Sequence, residues 1–469
     1  METIHSTTEL EQFRYRLYQN IDNRADTMLD LLDALSSNTT ASTVVELSLN
    51  PLFRRGYSSL FKGIGESNLA QIEMPKMVGP FLPHPQSRKY WLLGVDVTSN
   101  PRVFAPTLAD RTFVHQPNLL QGNKPVTIGH AYSTVVLLPE AIEGASRNWV
   151  VPMSTRRVGS DEDTELVGAE QIAALLIDPQ VPINGELCVE VCDSKYSKPG
   201  YLHANRAHTN LVTITRVRSN RVLYRQPEVD PKSGKAGHPT WFGERFALSD
   251  PATWHVPEQE SSIHYVSQRG KQYRVVLQGW SNMLMRGRRT PNSLPMQRHP
   301  FTLVRVCVYN AADELVFRRP MWLLAVGPQR HQLSVEEIYT SYRQRFDQEH
   351  FYRFSKQKLL MTAYQTPEVD HEENWWTLVH LAYTQLWLAR PFADSLPRPW
   401  ERYLPGVKAR RLTPSMVQRD LDRIIRHLGT PAQPPKPYFI APGRPKGLRL
   451  TPRTRKPVIK KPPSVQLSA

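Results

Sequence analysis

SVEEIYTSYRQRFDQEHFYRFSKQKLLM, residues 334–361, decides how the rest of the chain is read. Ser334 followed three residues later by Glu337 is a capping-box start, and no Gly or Pro interrupts the residues after it, so the stretch predicts one helix. Tyr342, Arg345, Glu349 and Lys356 stand three, four and seven residues apart. At about 3.6 residues per turn these four share one face, and Tyr352 joins them. An apolar stripe is the ordinary content of such a face. This one carries a phenol, a guanidinium, a carboxylate and an ammonium, while Ile338, Phe346 and Phe354 are left for packing. The bland alternative is a solvated helix laced with ion pairs.

Composition narrows the choice. The 469 residues suffice for two to four domains. A net charge of +16 and a pI near 9.7 point to a polyanionic partner, nucleic acid before membrane. No run of about 18 apolar residues and no basic-then-apolar start is seen, so neither a membrane span nor a secretion signal is expected. Three cysteines, Cys188, Cys192 and Cys307, make neither a disulfide framework nor a four-cysteine zinc site, and a reducing, intracellular compartment is expected. Charge is unevenly spread. Residues 1–76 hold seven bases against ten acids, whereas residues 430–469 hold nine bases and no acid.

Along the chain, residues 7–35 read as one or two amphipathic helices, and a second helical region runs from about Ser42 to Gly63, broken near Pro51. Arg54, Arg55 and Lys62 are its candidate DNA contacts, with a packing subdomain as the equal alternative. Pro80, Pro83 and Pro85 mark a linker. KYWLLGVDVT, residues 89–98, reads as a buried strand with Asp96 near its end; GELCVEVCD, residues 185–193, is another, ending in Asp193 and carrying Cys188 and Cys192 as small hydrophobes. Between them lie strands at 126–138 and 148–153 and a helix at 164–177; a helical segment through Tyr201 and a strand at 210–217 come next. From Val217 to Ser334, strand-like runs at 272–279, 301–309 and 321–327 alternate with Gly- and Pro-rich breaks. Helices are expected at about 370–390, where Trp375, Trp376 and Trp387 read as core, and at 413–428. The end is a Pro- and Arg/Lys-rich tail containing GRPKG, residues 443–447, expected to be disordered and to neutralise phosphates without reading sequence.

The spacing Tyr-(2)-Arg-(3)-Glu-(6)-Lys, here Tyr342, Arg345, Glu349 and Lys356, resembles the signature of one branch of DDE transposases from bacterial insertion sequences, and the match is complete at all four positions. The residues after Asp96 (Val-Thr-Ser-Asn-Pro-Arg), those after Asp193 (Ser-Lys-Tyr-Ser) and ITRVRSNRVLYR, residues 214–225, are similar to that branch too. The likeness spans about Lys89 to Gly447. It implies an α/β chain with an RNase H-like mixed sheet interrupted by a β-rich insertion domain, an N-terminal helical domain and a basic C-terminal tail. The implied divisions are 1–85 for the helical domain, 86–217 for the first part of the core, 218–333 for the insertion, 334–410 for the last core helices and 411–469 for the final helix and tail.

The resemblance also implies chemistry. In such a sheet the strands carrying Asp96 and Asp193 are neighbours, and like charges that close raise each other's pKa unless cations lie between them. Two Mg²⁺ (or Mn²⁺) ions suit an all-oxygen set of Asp96, Asp193 and Glu349 and support in-line displacement at phosphorus. Tyr342, Arg345 and Lys356 become contacts to phosphates at the element's ends, with Arg suited to bidentate binding. Arg444 and Lys446 add contacts from the tail. Trp322 is the candidate for stacking on a flipped base, with an inward strand tryptophan as the alternative. The expected activity is cleavage at terminal inverted repeats and transfer of 3′-hydroxyl ends into target DNA, by a homodimer on DNA in a prokaryotic cytoplasm, nucleoid-associated. The rivals are an RNase H-like nuclease without strand transfer and a non-catalytic DNA-binding protein derived from a transposase. A carboxylate-pair glycosidase is disfavoured by the basic helix face and tail.

Overall fold

The computed structural model describes residues 3–116, 125–140, 149–227, 241–267, 270–286, 294–395, 398, 412–437, 447 and 451–461. The chain divides into two compact units. One comprises Met1–Pro83, Val97–Glu162 and Asp347–Lys461; the other comprises, in its described part, His84–Asp96 and Asp163–Phe346.

The helices in chain order are α1 (Thr3–Gln19), α2 (Ala25–Ser36), α3 (Tyr57–Glu66), α4 (Met74–Val78), α5 (Thr164–Ile177), α6 (Pro199–Asn205), α7 (Val335–Gln344), α8 (Phe346–Lys358), α9 (Val369–Leu388), α10 (Arg390–Ser395) and α11 (Pro414–Leu428). The strands are β1 (Trp91–Pro101), β2 (Thr112–His115), β3 (Val126–Leu137), β4 (Val151–Val158), β5 (Cys188–Cys192), β6 (Leu211–Val217), β7 (Val222–Arg225), β8 (Arg245–Ala247), β9 (Gln259–Val266), β10 (Gln272–Met285), β11 (Phe301–Asn310) and β12 (Met321–Val326). The chain is thus mixed α/β and RNase H-like. No helix among the described residues is long and apolar enough to cross a membrane.

The first unit is built around α9. From Asn374 to Leu388 every residue of this helix is buried, polar ones included, and Trp375, Trp376, Leu378, Leu381 and Leu386 are at most 1% exposed, as in an enclosed helix. Helices α1, α2, α3 and α11 and strand β4 pack around it. Every residue of α2 from Thr27 to Ser36 is buried, so α2 presents no free recognition face. Its acids explain the negative balance of the N-terminal stretch. Asp33 accepts from Arg14 Nη2 at 2.9 Å, and Gln385 of α9 bonds both partners. Asp30 accepts from Arg54 Nη2 at 2.7 Å and faces Arg55 Nε at 3.1 Å. A second buried polar centre joins the sheet to α9. Glu372 Oε1 lies 2.7 Å from His130 Nδ1 and accepts from Tyr132 OH at 2.9 Å, while Oε2 pairs with Arg102 Nε at 3.0 Å. The Tyr132 ring stacks on Trp376 at 3.8 Å.

The tail departs from expectation. Residues 451–461 are not free; they lie extended along the loop before β2. Lys456 N donates to Pro106 O and Ile459 N to Arg111 O, both at 2.8 Å, and Arg453 pairs with Glu368. Two backbone hydrogen bonds and an ion pair hold a segment whose composition alone reads as disordered.

In the second unit β1, β5 and β6 are parallel neighbours, and β12, β11 and β10 follow as antiparallel strands beyond β6. The long β10 pairs with β9 over its first half and with β7 near its end, with β8 beyond β7. The change of partner falls where β10 shifts register between Trp280 and Met283 and Asn282 takes a left-handed φ of 53°. Strands β2, β7, β8 and β9 were not legible from periodicity, being short or polar on both faces.

Candidate active site

β5, Cys-Val-Glu-Val-Cys, is buried along its whole length. It pairs with β1 in parallel from Trp91↔Cys188 to Val95↔Cys192. Asp96 and Asp193 are therefore the residues next after the last pair on adjacent strands. Such strands run about 4.8 Å apart, so both carboxylates emerge at one end of the sheet. Two bonds fix the turn at Asp193. Its Oδ1 accepts from Lys195 N at 2.7 Å, and its carbonyl accepts from Thr215 Oγ1 of β6 at 2.7 Å. Asp193 thus also caps the short turn Ser194–Ser197. Asp96 differs from the sequence reading in one respect: β1 runs on to Pro101, so this acid is internal to its strand, though beyond the pairing with β5.

The end of α7 faces the same place. Its first turn carries the expected capping box: Ser334 N donates to Glu337 Oε2 at 2.8 Å, and Glu337 N to Ser334 Oγ at 3.1 Å. Gly279 of β10 seats it, because a Cβ there would come within 2.6 Å of Val335 Cγ1. From this seat α7 packs across β12, β6 and β5, and its last turn delivers Tyr342 and Arg345. Arg345 Nη1 lies 3.9 Å from Asp96 Oδ2, and its guanidinium stands over the rings of Tyr342 (5.7 Å) and Phe346 (5.3 Å). Tyr342 is buried; burial raises its phenol above the ordinary value, and Arg345 and Arg216 oppose that. Burial also holds the Cys192 thiol well above its usual range, so this strand end offers carboxylate oxygens and no thiolate.

The single helix expected over 334–361 is two. Arg345 N bonds to Tyr342 O, a three-residue closure that tightens the last turn of α7, and α8 begins at the next residue. Glu349 lies exposed in the first turn of α8, in the first unit. Lys356 Nζ, in the same unit, donates to Thr98 Oγ1 at 2.6 Å; Thr98 stands two residues along β1 from Asp96. Asp96, Asp193, Tyr342 and Arg345 thus share the second unit, and Glu349 and Lys356 share the first. Among the described residues no three His, Cys, Asp or Glu side chains form a ready metal cage.

The remaining candidates sit elsewhere. Trp322 is 1% exposed, packed against Trp254 at 5.2 Å and Trp280 at 5.8 Å, so this ring has no face open to a base. That is the inward strand tryptophan of the alternative reading. Arg54 and Arg55 are engaged with Asp30, and Arg54 also bonds the Ala432 carbonyl at 3.0 Å. Arg444 and Lys446 lie outside the described residues. Sequence reasoning passed over Thr98, Arg216 and Glu190. Alternation from Asp96 puts Thr98 on the same strand face and was the available signal for it; Arg216 and Glu190 had none, since Arg216 acts on Tyr342 of α7 and Glu190 is met by Tyr201 and Asn205 of α6 and Thr213 of β6, contacts that only the fold makes.

A family model described as DDE superfamily endonuclease matches residues 16–280, more than half of the chain. The match contains Asp96 and Asp193 and ends before Glu349. A search of curated proteins finds no match.

Proposed function

The chain belongs to the DDE superfamily endonucleases, and from that premise we propose that it is a cut-and-paste DNA transposase. It cleaves DNA at the terminal inverted repeats of its own element and transfers the 3′-hydroxyl ends to target DNA. The observation that supports this best is the parallel register that sets Asp96 beside Asp193. Two carboxylates at one sheet end, with a protonated thiol beside them, are a donor set for a hard divalent ion. In this reading Asp96, Asp193 and Glu349 hold two Mg²⁺ (or Mn²⁺) ions. Bound there, the ions supply activation of the attacking oxygen and charge stabilisation of the leaving one.

The chain's own residues do the rest. Arg345 counters the negative charge of the carboxylates and offers a guanidinium fork to a phosphate; its contact with the Tyr342 and Phe346 rings limits its rotamers. Tyr342 shapes the wall of that contact, and Lys356, braced by Thr98, supplies a point charge to the backbone of the bound end. Both ends must be handled together, so the active form is a homodimer on DNA, acting in the prokaryotic cytoplasm.

The test uses purified full-length protein, Mg²⁺ and DNA bearing the repeats that flank the gene. Asp193→Asn is expected to lose cleavage by about 10³-fold or more, roughly 4 kcal/mol, with unchanged melting. An Asp193→Asn variant that still cuts and joins overturns the reading. Insertion of a 3′-hydroxyl end into plasmid separates a transposase from a nuclease of the same family.

A further inference from the structure

At the opposite end of the parallel strands lies a group of bases that the cleavage reading does not use. Three neighbouring strands bring it together. β6 starts at Leu211, β12 ends at Val326 opposite Thr213, and β11 starts at Phe301 opposite Val326. Arg206 and His203 precede β6, Arg298 and His299 precede β11, and Arg330 follows β12. Gly327 permits this crossing: its φ is +143°, and a Cβ there would come within 2.2 Å of Leu211 O. Because β5 and β6 are parallel, this is the end remote from Asp193, about 15 Å away along the strands.

The way these bases are held is informative. Arg206 Nη1 donates to His299 Nδ1 at 2.5 Å. Arg330 Nη2 donates to Asn282 Oδ1 at 2.7 Å and Nη1 to Gly327 O at 3.3 Å. The guanidiniums of Arg206 and Arg330 are each oriented by neutral acceptors, which leaves their charge uncompensated. Among the described residues none of Arg206, Arg298, Arg330, His203 and His299 makes an ion pair with an acid. His299 is 5% exposed, and burial first, then Arg206, His203 and Arg298, lower its pKa to about 4. It is therefore neutral near pH 7. With Nδ1 accepting from Arg206, its proton sits on Nε2 and is shared with His203 Nδ1 at 2.9 Å. His203 itself is exposed. Arg206 and Arg298 act on His299, and Arg206 acts on Arg330, so these guanidiniums repel one another unless an anion lies among them.

We propose that Arg206, Arg298, Arg330 and His203 form a second nucleic-acid contact, a site for a backbone phosphodiester of duplex DNA at the sheet end remote from Asp96 and Asp193. The proposal rests on DNA being the substrate. It adds a surface on which DNA beyond the scissile phosphate can be held.

Binding of a labelled duplex by the full-length protein in EDTA, across a salt series, tests it without cleavage. Each phosphate contact contributes about 0.9 to the slope of log K against log salt. Arg206→Gln and Arg298→Gln are each expected to lower the slope by about one and weaken binding several-fold, with Arg206→Lys close to wild type and melting unchanged in all three. Equal slopes for wild type and the Gln variants overturn the proposal. So does a site that takes free inorganic phosphate, read from shifts of the His203 and His299 ring signals, while the DNA slope stays unaltered. If the wild-type protein binds no duplex, the proposal falls, and the Asp193→Asn cleavage assay then tells whether the endonuclease reading falls with it.

Discussion

Glu372 in the first unit and Asp96 in the second each face an arginine, Arg102 Nε at 3.0 Å and Arg345 Nη1 at 3.9 Å. Their surroundings differ. The Glu372 side chain is 1% exposed. Burial pushes its carboxyl up, but His130 and Arg102 more than offset that and hold it below the usual range. Its oxygens meet an imidazole, a phenol and a guanidinium, all from the same unit. Asp96 is 21% exposed on its side chain and stands where β1 leaves its pairing with β5. A buried acid closed off by its partners ties elements together. An acid just beyond the last pair of two adjacent strands, with part of its surface open, can still accept a ligand.

Three measurements can break or sharpen this contrast. The largest effect concerns the pair itself. Glu372→Ala is expected to lose about 3–5 kcal/mol of stability in denaturant titrations, because it strands a buried Arg102. Asp96→Asn is expected to change stability by about 1 kcal/mol or less while abolishing cleavage. Similar stability losses from both would erase the distinction.

The next effect concerns Glu190, a fully buried acid three residues before Asp193 on β5. Burial pushes its pKa up to about 7, although Tyr201, Asn205 and Thr213 all donate to it. The folded chain then keeps a proton that the unfolded chain has lost. Stability should fall as pH rises from about 4.5 to about 7, by an amount on the order of 3 kcal/mol. Glu190→Gln should flatten that dependence, and a wild-type curve already flat from pH 5 to 8 would show that Glu190 is not so perturbed.

The smallest effect belongs to Arg345. Arg345→Gln should weaken binding of an end-bearing duplex about tenfold, roughly 1.4 kcal/mol, with little change in melting. If its main loss were in stability, Arg345 would belong with Arg102 rather than with the site.

Several of these residues were legible early because their signals are local. The capping box at Ser334 and Glu337, the apolar runs that became β1 and β5, the Trp- and Leu-rich α9 and the helix at 164–177 follow from neighbour spacing alone. The break at Arg345 was not legible, since nothing in 334–361 disfavours helix; a single three-residue closure makes it. Nor was the fate of Arg54 and Arg55, whose neighbours in sequence look like a DNA-contacting patch until Asp30 of α2 is seen to answer both.

By itself the sequence determined which segments are buried, which acids end apolar runs, and the family to which those acids belong, because periodicity and motif spacing are properties of adjacent residues. Only the tertiary structure decided that Val95 pairs with Cys192, that Trp322 faces inward, that residues 451–461 are strapped down, that Arg206 meets His299 and that Arg330 meets Asn282. Each of these depends on strand register or on a close approach between segments far apart in the chain, and strand register is set by the packing of whole faces rather than by any local run of residues.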